Sequence, residues 1–262
     1  MFLTTSAGVR LEYVRIPGRG PAIVLLHEGL GSVSLWREFP QRVAEATGHE
    51  VVAYSRQGYG RSSPLAAPRS VRFMHDEALV MLPEVLDALE IRRPILLGHS
   101  DGGSIAILHA GGSGREVTAI ILMAPHVMVE DVSIASIAAA RTAFAQGDFR
   151  ARLARHHDDV DGAFRGWNDV WLIPEFRGWS IEEYLPRIKC PVLAIQGEDD
   201  EYGTMEQVDR IGRAIPQARV LKIPRCGHSP HRDSEKEVLE AVRGFVERVL
   251  MTDRPGWQPL FC

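Results

Sequence analysis

Five short apolar runs, at residues 22–26, 51–54, 95–97, 118–123 and 192–195, recur along this chain with helix-length stretches between them. Each run is continuous rather than alternating, the pattern of a strand covered on both faces, as in a parallel sheet. Parallel neighbours need crossovers, and stretches at 35–46, 71–89, 104–110, 205–215 and 234–251 carry the helical spacing that supplies them. The chain therefore reads as α/β: a mostly parallel, doubly wound sheet with helices on both faces and right-handed crossovers. Residues 9–16 alternate loosely and stop at Pro17-Gly18, which suits an edge strand or hairpin arm. At 262 residues the chain is long enough for one such core with an insertion.

The alternation lapses between 126 and 187, a segment rich in Ala, Arg, His and Trp. Helices are expected there at 133–144, ended by Gly147, and at 148–157, capped by Asp148. The expected organisation is a core of residues 1–125 and 188–262 with a helical insertion at 126–187. The tail at 252–262, with Pro255, Gly256 and Pro259, is expected to be irregular.

The run at 95–97 feeds Gly98-His99-Ser100-Asp101-Gly102, and a helical pattern follows. A G-x-S-x-G turn between strand and helix exposes a serine hydroxyl on a tight bend, which makes Ser100 the candidate nucleophile. A serine hydroxyl is weak at neutral pH, so a base must take its proton and a carboxylate must orient that base. His228 stands in a loop after a strand-like run and is the candidate base, whereas His231 reads as a surface or rim residue. Gly197-Glu198-Asp199-Asp200 places acids just beyond another buried run, at the strand end where functional groups collect in open α/β sheets. On the residues alone Asp199 and Asp200 both remain candidates.

Together these motifs, spread from His27 to His228, resemble the α/β-hydrolase superfamily in its serine hydrolase, esterase-like branch. The resemblance implies Asp200 as the acid of a G-x-x-D turn, with Asp199 as rival, and His228 as the histidine of a G-H pair. It implies an oxyanion hole from the N–H of Asp101, at a helix start, and one N–H from His27-Glu28-Gly29-Leu30-Gly31-Ser32. That stretch resembles the family's H-G-x-x-G-S pattern and assigns Gly29; sliding the register by one assigns Leu30. Glu28 stands where glycine is usual. A carboxylate there opposes an oxyanion unless it is protonated or paired, so it is expected to turn away and hydrogen-bond its own loop. Residues 54–62 resemble the D-x-x-G-x-G-x-S segment with Ser55 in place of aspartate, and Arg56 or Arg61 is a candidate ion-pair partner for Glu28.

The resemblance also implies that 126–187 forms a cap over the site and sets substrate choice. His27, Glu28, Trp167 and Trp171 are candidate supporting or substrate-contacting residues; Phe144, Phe149, Phe164 and Trp179 either line a pocket or pack cap against core. The implied activity is hydrolysis of a small carboxylic ester or thioester through an acyl-enzyme. C–C bond hydrolysis of ring-cleavage products and acyl-CoA hydrolysis use the same machinery, and a non-catalytic ligand receptor is the reading from another class. A serine at the elbow argues against a haloalkane dehalogenase.

A formal net charge of -4 without a dense Lys/Arg run argues against nucleic acid and anionic membranes as partners. The N-terminus lacks a basic, then apolar leader and the sequence lacks a spanning apolar run, so a cytoplasmic protein with a small-molecule substrate is expected, as monomer or homodimer. Cys190, Cys226 and Cys262 are too few and too widely spaced for a disulfide framework or zinc site. In His156-His157-Asp158-Asp159-Val160-Asp161 adjacent side chains at a helix end point different ways, so a solvated polar patch is expected and no metal. No cofactor is expected. Arg141, Arg150, Arg152, Arg155 and Arg165 are expected to solvate helix faces.

Overall fold

The computed structural model describes residues 1–252. The tail expected to be irregular, and Cys262 with it, lies outside the described residues, apart from Thr252, which ends the last helix. Strands β1 (Phe2–Thr4), β2 (Arg10–Ile16), β3 (Arg19–Leu26), β4 (His49–Tyr54), β5 (Ile95–His99), β6 (Ala119–Met123), β7 (Val192–Gly197) and β8 (Ala218–Ile223) form one sheet. Its order is β1-β2-β4-β3-β5-β6-β7-β8. Pairing is antiparallel from β1 through β2 to β4 and parallel from β4 to β8. The mostly parallel sheet is as the apolar runs require. Of the two readings of 9–16 the hairpin arm holds and the edge does not: β1 pairs antiparallel outside β2, and β1 itself is too short to announce a period of two.

The helices are α1 (Phe39–Thr47), α2 (Phe73–Asp76), α3 (Leu82–Ala88), α4 (Asp101–Gly112) and α5 (Asp131–Gln146). There follow α6 (Phe149–Leu153), α7 (Val160–Leu172), α8 (Glu206–Ala214), α9 (Pro230–Asp233) and α10 (Glu235–Thr252). A π-helical stretch, Glu77–Met81, joins α2 to α3. Alternate residues of the central strands feed two separate cores. Ile23, Leu25, Val51, Ile95, Leu97 and Ile121 pack against α1 and α10, where Phe39, Val43, Val238 and Phe245 are buried. Val24, Leu26, Val52, Leu96, Ile120 and Leu122 pack against α3, α4 and α8. This two-sided burial is why the runs read as continuously apolar.

Between β6 and β7 the chain makes α5, α6 and α7, and the one strand-like contact is a bridge between Met128 and Ser180. The helix expected at 148–157 is shorter, ending at Leu153, because His156 and His157 turn aside to bond other loops. Helix α7 was not expected. Its signal is present in Val160, Ala163, Phe164, Trp167, Val170 and Trp171, a buried stripe at helical spacing, with Asp159 as N-cap accepting from the Gly162 N–H at 2.9 Å. The second core runs on into this segment through Trp171, Phe176, Ile181 and Leu185. Cys190 and Cys226 are free thiols.

Candidate active site

Strand β5 lies between β3 and β6 with all five residues buried, and the chain reverses from it into α4 through Ser100. Ser100 takes φ 53° and ψ −119°, a conformation that costs a non-glycine residue about 1–3 kcal/mol and has to be held by its surroundings. The flanking glycines allow it. A Cβ on Gly98 would stand 2.2 Å from the Gly102 carbonyl oxygen, and one on Gly102 would stand 2.0 Å from that of Leu26. Neither gap admits a side chain, so this turn requires glycine at both flanks.

Loops after β7 and β8 bring Asp200 and His228 to the same spot at the carboxyl ends of the strands. His228 Nε2 lies 2.9 Å from Ser100 Oγ, and Nδ1 lies 2.8 and 3.0 Å from the Asp200 carboxylate oxygens. A carboxylate can only accept, so Nδ1 carries the proton and Nε2 is left to accept from the serine hydroxyl. Asp200 also accepts from the Tyr202 N–H at 2.8 Å, the Gly203 N–H at 3.2 Å and Gln196 Nε2 at 2.7 Å. Burial pushes its carboxyl up, but the His228 hydrogen bond and charge, with the Tyr202 N–H, outweigh this and hold it below the usual aspartate value. Asp199 is exposed, its N–H bonded to the Cys226 carbonyl. Gln196, four residues before Asp200 on β7, is a support the sequence reading missed.

Asp101 opens α4, so its backbone N–H has no acceptor within the helix. Across from it, the Glu28 carbonyl accepts from His27 Nδ1 at 2.6 Å, Arg56 Nη2 at 2.9 Å and the Gly31 N–H at 3.0 Å. In a planar trans peptide the N–H points opposite the C=O, so these three donors turn the Gly29 N–H away from themselves. Gly29 lines the same cavity as Ser100 and His228. Trp167 packs against it so closely that a Cβ there would lie 2.1 Å from the indole Nε1. His27 is fully buried and accepts the Arg56 N–H on Nε2 at 3.0 Å, so it braces the loop and does not line the cavity.

The Glu28 carboxylate goes neither to its own loop nor to Arg56 or Arg61. It faces His99 Nδ1 at 3.5 Å and Arg232 at 3.7 Å. Burial alone would raise its carboxyl, but His99 and Arg232 hold it well below the usual range. Arg56 is fully buried and instead approaches the Asp101 carboxylate at 3.8 Å. Arg61 gives its backbone N–H to Glu12 at 3.1 Å. His99 Nε2 donates to the His228 carbonyl at 2.7 Å, which ties Glu28 to the backbone of the histidine loop. His231 is no rim residue: it is buried among Trp36, Phe39 and His99. These partners lie tens of residues away in sequence, where spacing carries no signal.

The cavity over Ser100 measures about 470 Å³, and Leu30, Phe149, Leu153, Trp167, Trp171 and Tyr202 form its apolar walls. Of the aromatic candidates, Phe149, Trp167 and Trp171 face it; Phe144 stacks on Phe164, and Trp179 on Phe176. Arg141 is bonded to Asn168 and Asp169 and Arg150 to Asp161, whereas Arg152 fronts the cavity. The 156–161 stretch is dispersed: His156 bonds Ser34, His157 bonds Gly60 and Leu30, and Asp161 bonds Arg150. A larger open cleft of about 720 Å³ lies across Arg115, Thr118 and Pro191, at the amino ends of β6 and β7, away from these groups. Among the described residues no helix is long and apolar enough to cross a membrane.

Comparison with known proteins agrees with this architecture. The sequence model of the alpha/beta hydrolase family matches residues 23–241. Polyketide synthase ThaQ of Burkholderia thailandensis is 27% identical over 283 residues, a match taking 97% of this chain but 13% of that protein, so the likeness is to one part of a much longer chain. Esterase YbfF of Escherichia coli is 27% identical over 258 residues, covering 91% of this chain and 98% of that one. The crystal structure of the enol-lactonase from Burkholderia xenovorans superposes with a TM-score of 0.76 at 21% identity, over 94% of this chain and all of the other, which speaks for the fold.

Proposed function

The chain belongs to the alpha/beta hydrolase family and is a hydrolase, and on that premise we propose that it cleaves a small carboxylic ester or thioester through an acyl-enzyme on Ser100. The observation that carries this reading is the chain of contacts from Asp200 through His228 to the Ser100 hydroxyl, with His228 in the tautomer that accepts the serine proton. Ser100 Oγ adds to the carbonyl carbon as its proton passes to His228 Nε2. The N–H groups of Asp101 and Gly29 hold the resulting oxyanion. Collapse expels the alcohol or thiol, which leaves with the proton from His228. Water then gives a proton to the same nitrogen and adds to the acyl carbon, and a second collapse releases the acid and restores the serine.

Residues 126–187 act as the cap: Phe149, Arg152, Leu153, Trp167 and Trp171 from this segment close the cavity over Ser100 and select what enters. A receptor that only binds its ligand has no use for a proton-accepting tautomer aimed at a serine held in a strained turn. The test pairs a screen of p-nitrophenyl esters and acyl thioesters with fluorophosphonate labelling and peptide mapping. Turnover of at least one ester and a single adduct on Ser100 are expected. No adduct, or one at another serine, would reject the reading.

A further inference from the structure

The polar groups at the solvent end of the Ser100 cavity do not belong to the acyl-transfer machinery. Ser100 is 7% exposed at its base, whereas Arg37, Arg152 and Arg232, which line the same cavity, are exposed, as is one carboxylate of the lining, Glu201, which accepts the His228 N–H. The arginines come from three separate elements: the turn after β3, α6 and α9. Helix α6 presents Phe149, Arg152 and Leu153 to the cavity, and His156, in the turn that follows it, lines the same cavity.

The three guanidinium groups are weakly neutralised. Among the described residues the one carboxylate partner of Arg152 is Asp148, at 3.5 Å with both side chains mostly exposed, a pair of little worth in water. Arg232 shares Glu28 with His99. Among the described residues Arg37 has no carboxylate partner. Its backbone stands at φ 52° and ψ −128°, a conformation a non-glycine residue rarely adopts and one that clusters where a side chain must be held for a function. His156 gives the field a sign. Burial lowers its pKa, and the positive charges of Arg37, Arg155 and Arg232 lower it further, so the ring is neutral. Its Nδ1 lies 2.9 Å from the Ser34 hydroxyl, and in the tautomer in which Nδ1 accepts, the Nε2–H remains as a donor.

We propose that Arg37, Arg152, Arg232 and His156 form an anion subsite, and that the preferred ester carries a carboxylate at the end remote from its scissile carbonyl. The three guanidinium groups offer donors and no acceptor, which fits a carboxylate and penalises a neutral polar group. The apolar walls between them and Ser100 fit the hydrocarbon that joins the two ends. This inference rests on the ester-hydrolase reading above.

The test compares the p-nitrophenyl half-ester of glutaric acid with p-nitrophenyl pentanoate, its near-isosteric neutral counterpart, at low and high salt. We expect kcat/KM for the half-ester to be about ten-fold higher or more at low salt, with the ratio shrinking as salt rises. Arg37→Gln and Arg152→Gln should each lower the half-ester to pentanoate ratio several-fold. Equal rates for the two esters, or a ratio unmoved by both substitutions, would overturn the subsite while leaving the hydrolase intact. Should neither ester be turned over and Ser100 resist fluorophosphonate, the hydrolase reading itself fails. A third arm compares butyryl-CoA with the butyryl thioester of N-acetylcysteamine; a charge preference confined to that pair would place the anion on the leaving group and contradict the acyl-side carboxylate.

Discussion

Two aspartates adjoin at the end of β7, and their surroundings separate them. Asp200 touches His228 and three further donors, while Asp199 is exposed. Asp200→Asn is expected to lower kcat by about 10⁴-fold, because an amide can leave His228 in the wrong tautomer, and Asp199→Asn to change it less than about three-fold. Steady-state kinetics on any turned-over ester checks this, and the opposite ranking would transfer the acid's role. Glu28 is the second residue-scale case. Its carboxylate is 18% exposed and faces His99 and Arg232, so a Glu28→Gln, His99→Gln double-mutant cycle on denaturant midpoints should give a coupling of about 1–2 kcal/mol. Zero coupling would mean the two groups are neighbours without an interaction. The triad candidates were legible because each sits beside a glycine motif at a strand end. The partner of Glu28 was not, since Arg232 and His99 come to it only through tertiary folding.

At the scale of elements, hydrophobic periodicity exposed the five central strands and most crossover helices, because two-sided burial leaves an unbroken apolar run. It failed at β1, which has three residues and one buried side chain, and it overlooked α7, whose apolar stripe is interspersed with Gly162 and Gly166, residues that weaken a helical reading. The joint between the 126–187 segment and the sheet was also invisible. His157 makes part of it: Nδ1 accepts the Gly60 N–H at 2.9 Å and Nε2 donates to the Leu30 carbonyl at 2.9 Å. His157→Phe keeps the ring volume but leaves both backbone groups without their partner. A loss of about 2–4 kcal/mol is expected in chemical denaturation, from two orphaned groups at about 1–2 kcal/mol each. A melting curve matching the parent would show that the two His157 bonds add nothing to the joint.

For the whole molecule, buried neutral histidines set the response to acid. His27, His126, His157 and His231 all have pKa values lowered chiefly by burial, His126 to about 3 from the ordinary 6.5. Below 6.5 the unfolded chain takes up protons that these folded side chains refuse, so their contribution is fully present above that pH and is lost as pH falls toward their folded values. Asp101, raised by burial, works in the other sense, as one group against four. Thermal melts should therefore show Tm dropping steadily from pH 6.5 to pH 4.5; a flat profile would contradict the neutral, buried state of these rings.

The central claim is that a strained serine at the end of β5, with His228 and Asp200 behind it, makes this fold an acyl-transfer enzyme. Its most direct measurement is kcat of Ser100→Ala on an ester that the parent turns over, with the circular dichroism and Tm of the variant recorded alongside. A loss of about 10⁴- to 10⁶-fold with the fold preserved is expected, since the change removes the attacking oxygen and almost no packing. A well-folded Ser100→Ala protein, free of contaminating esterase, that keeps most of the parent's rate would contradict it.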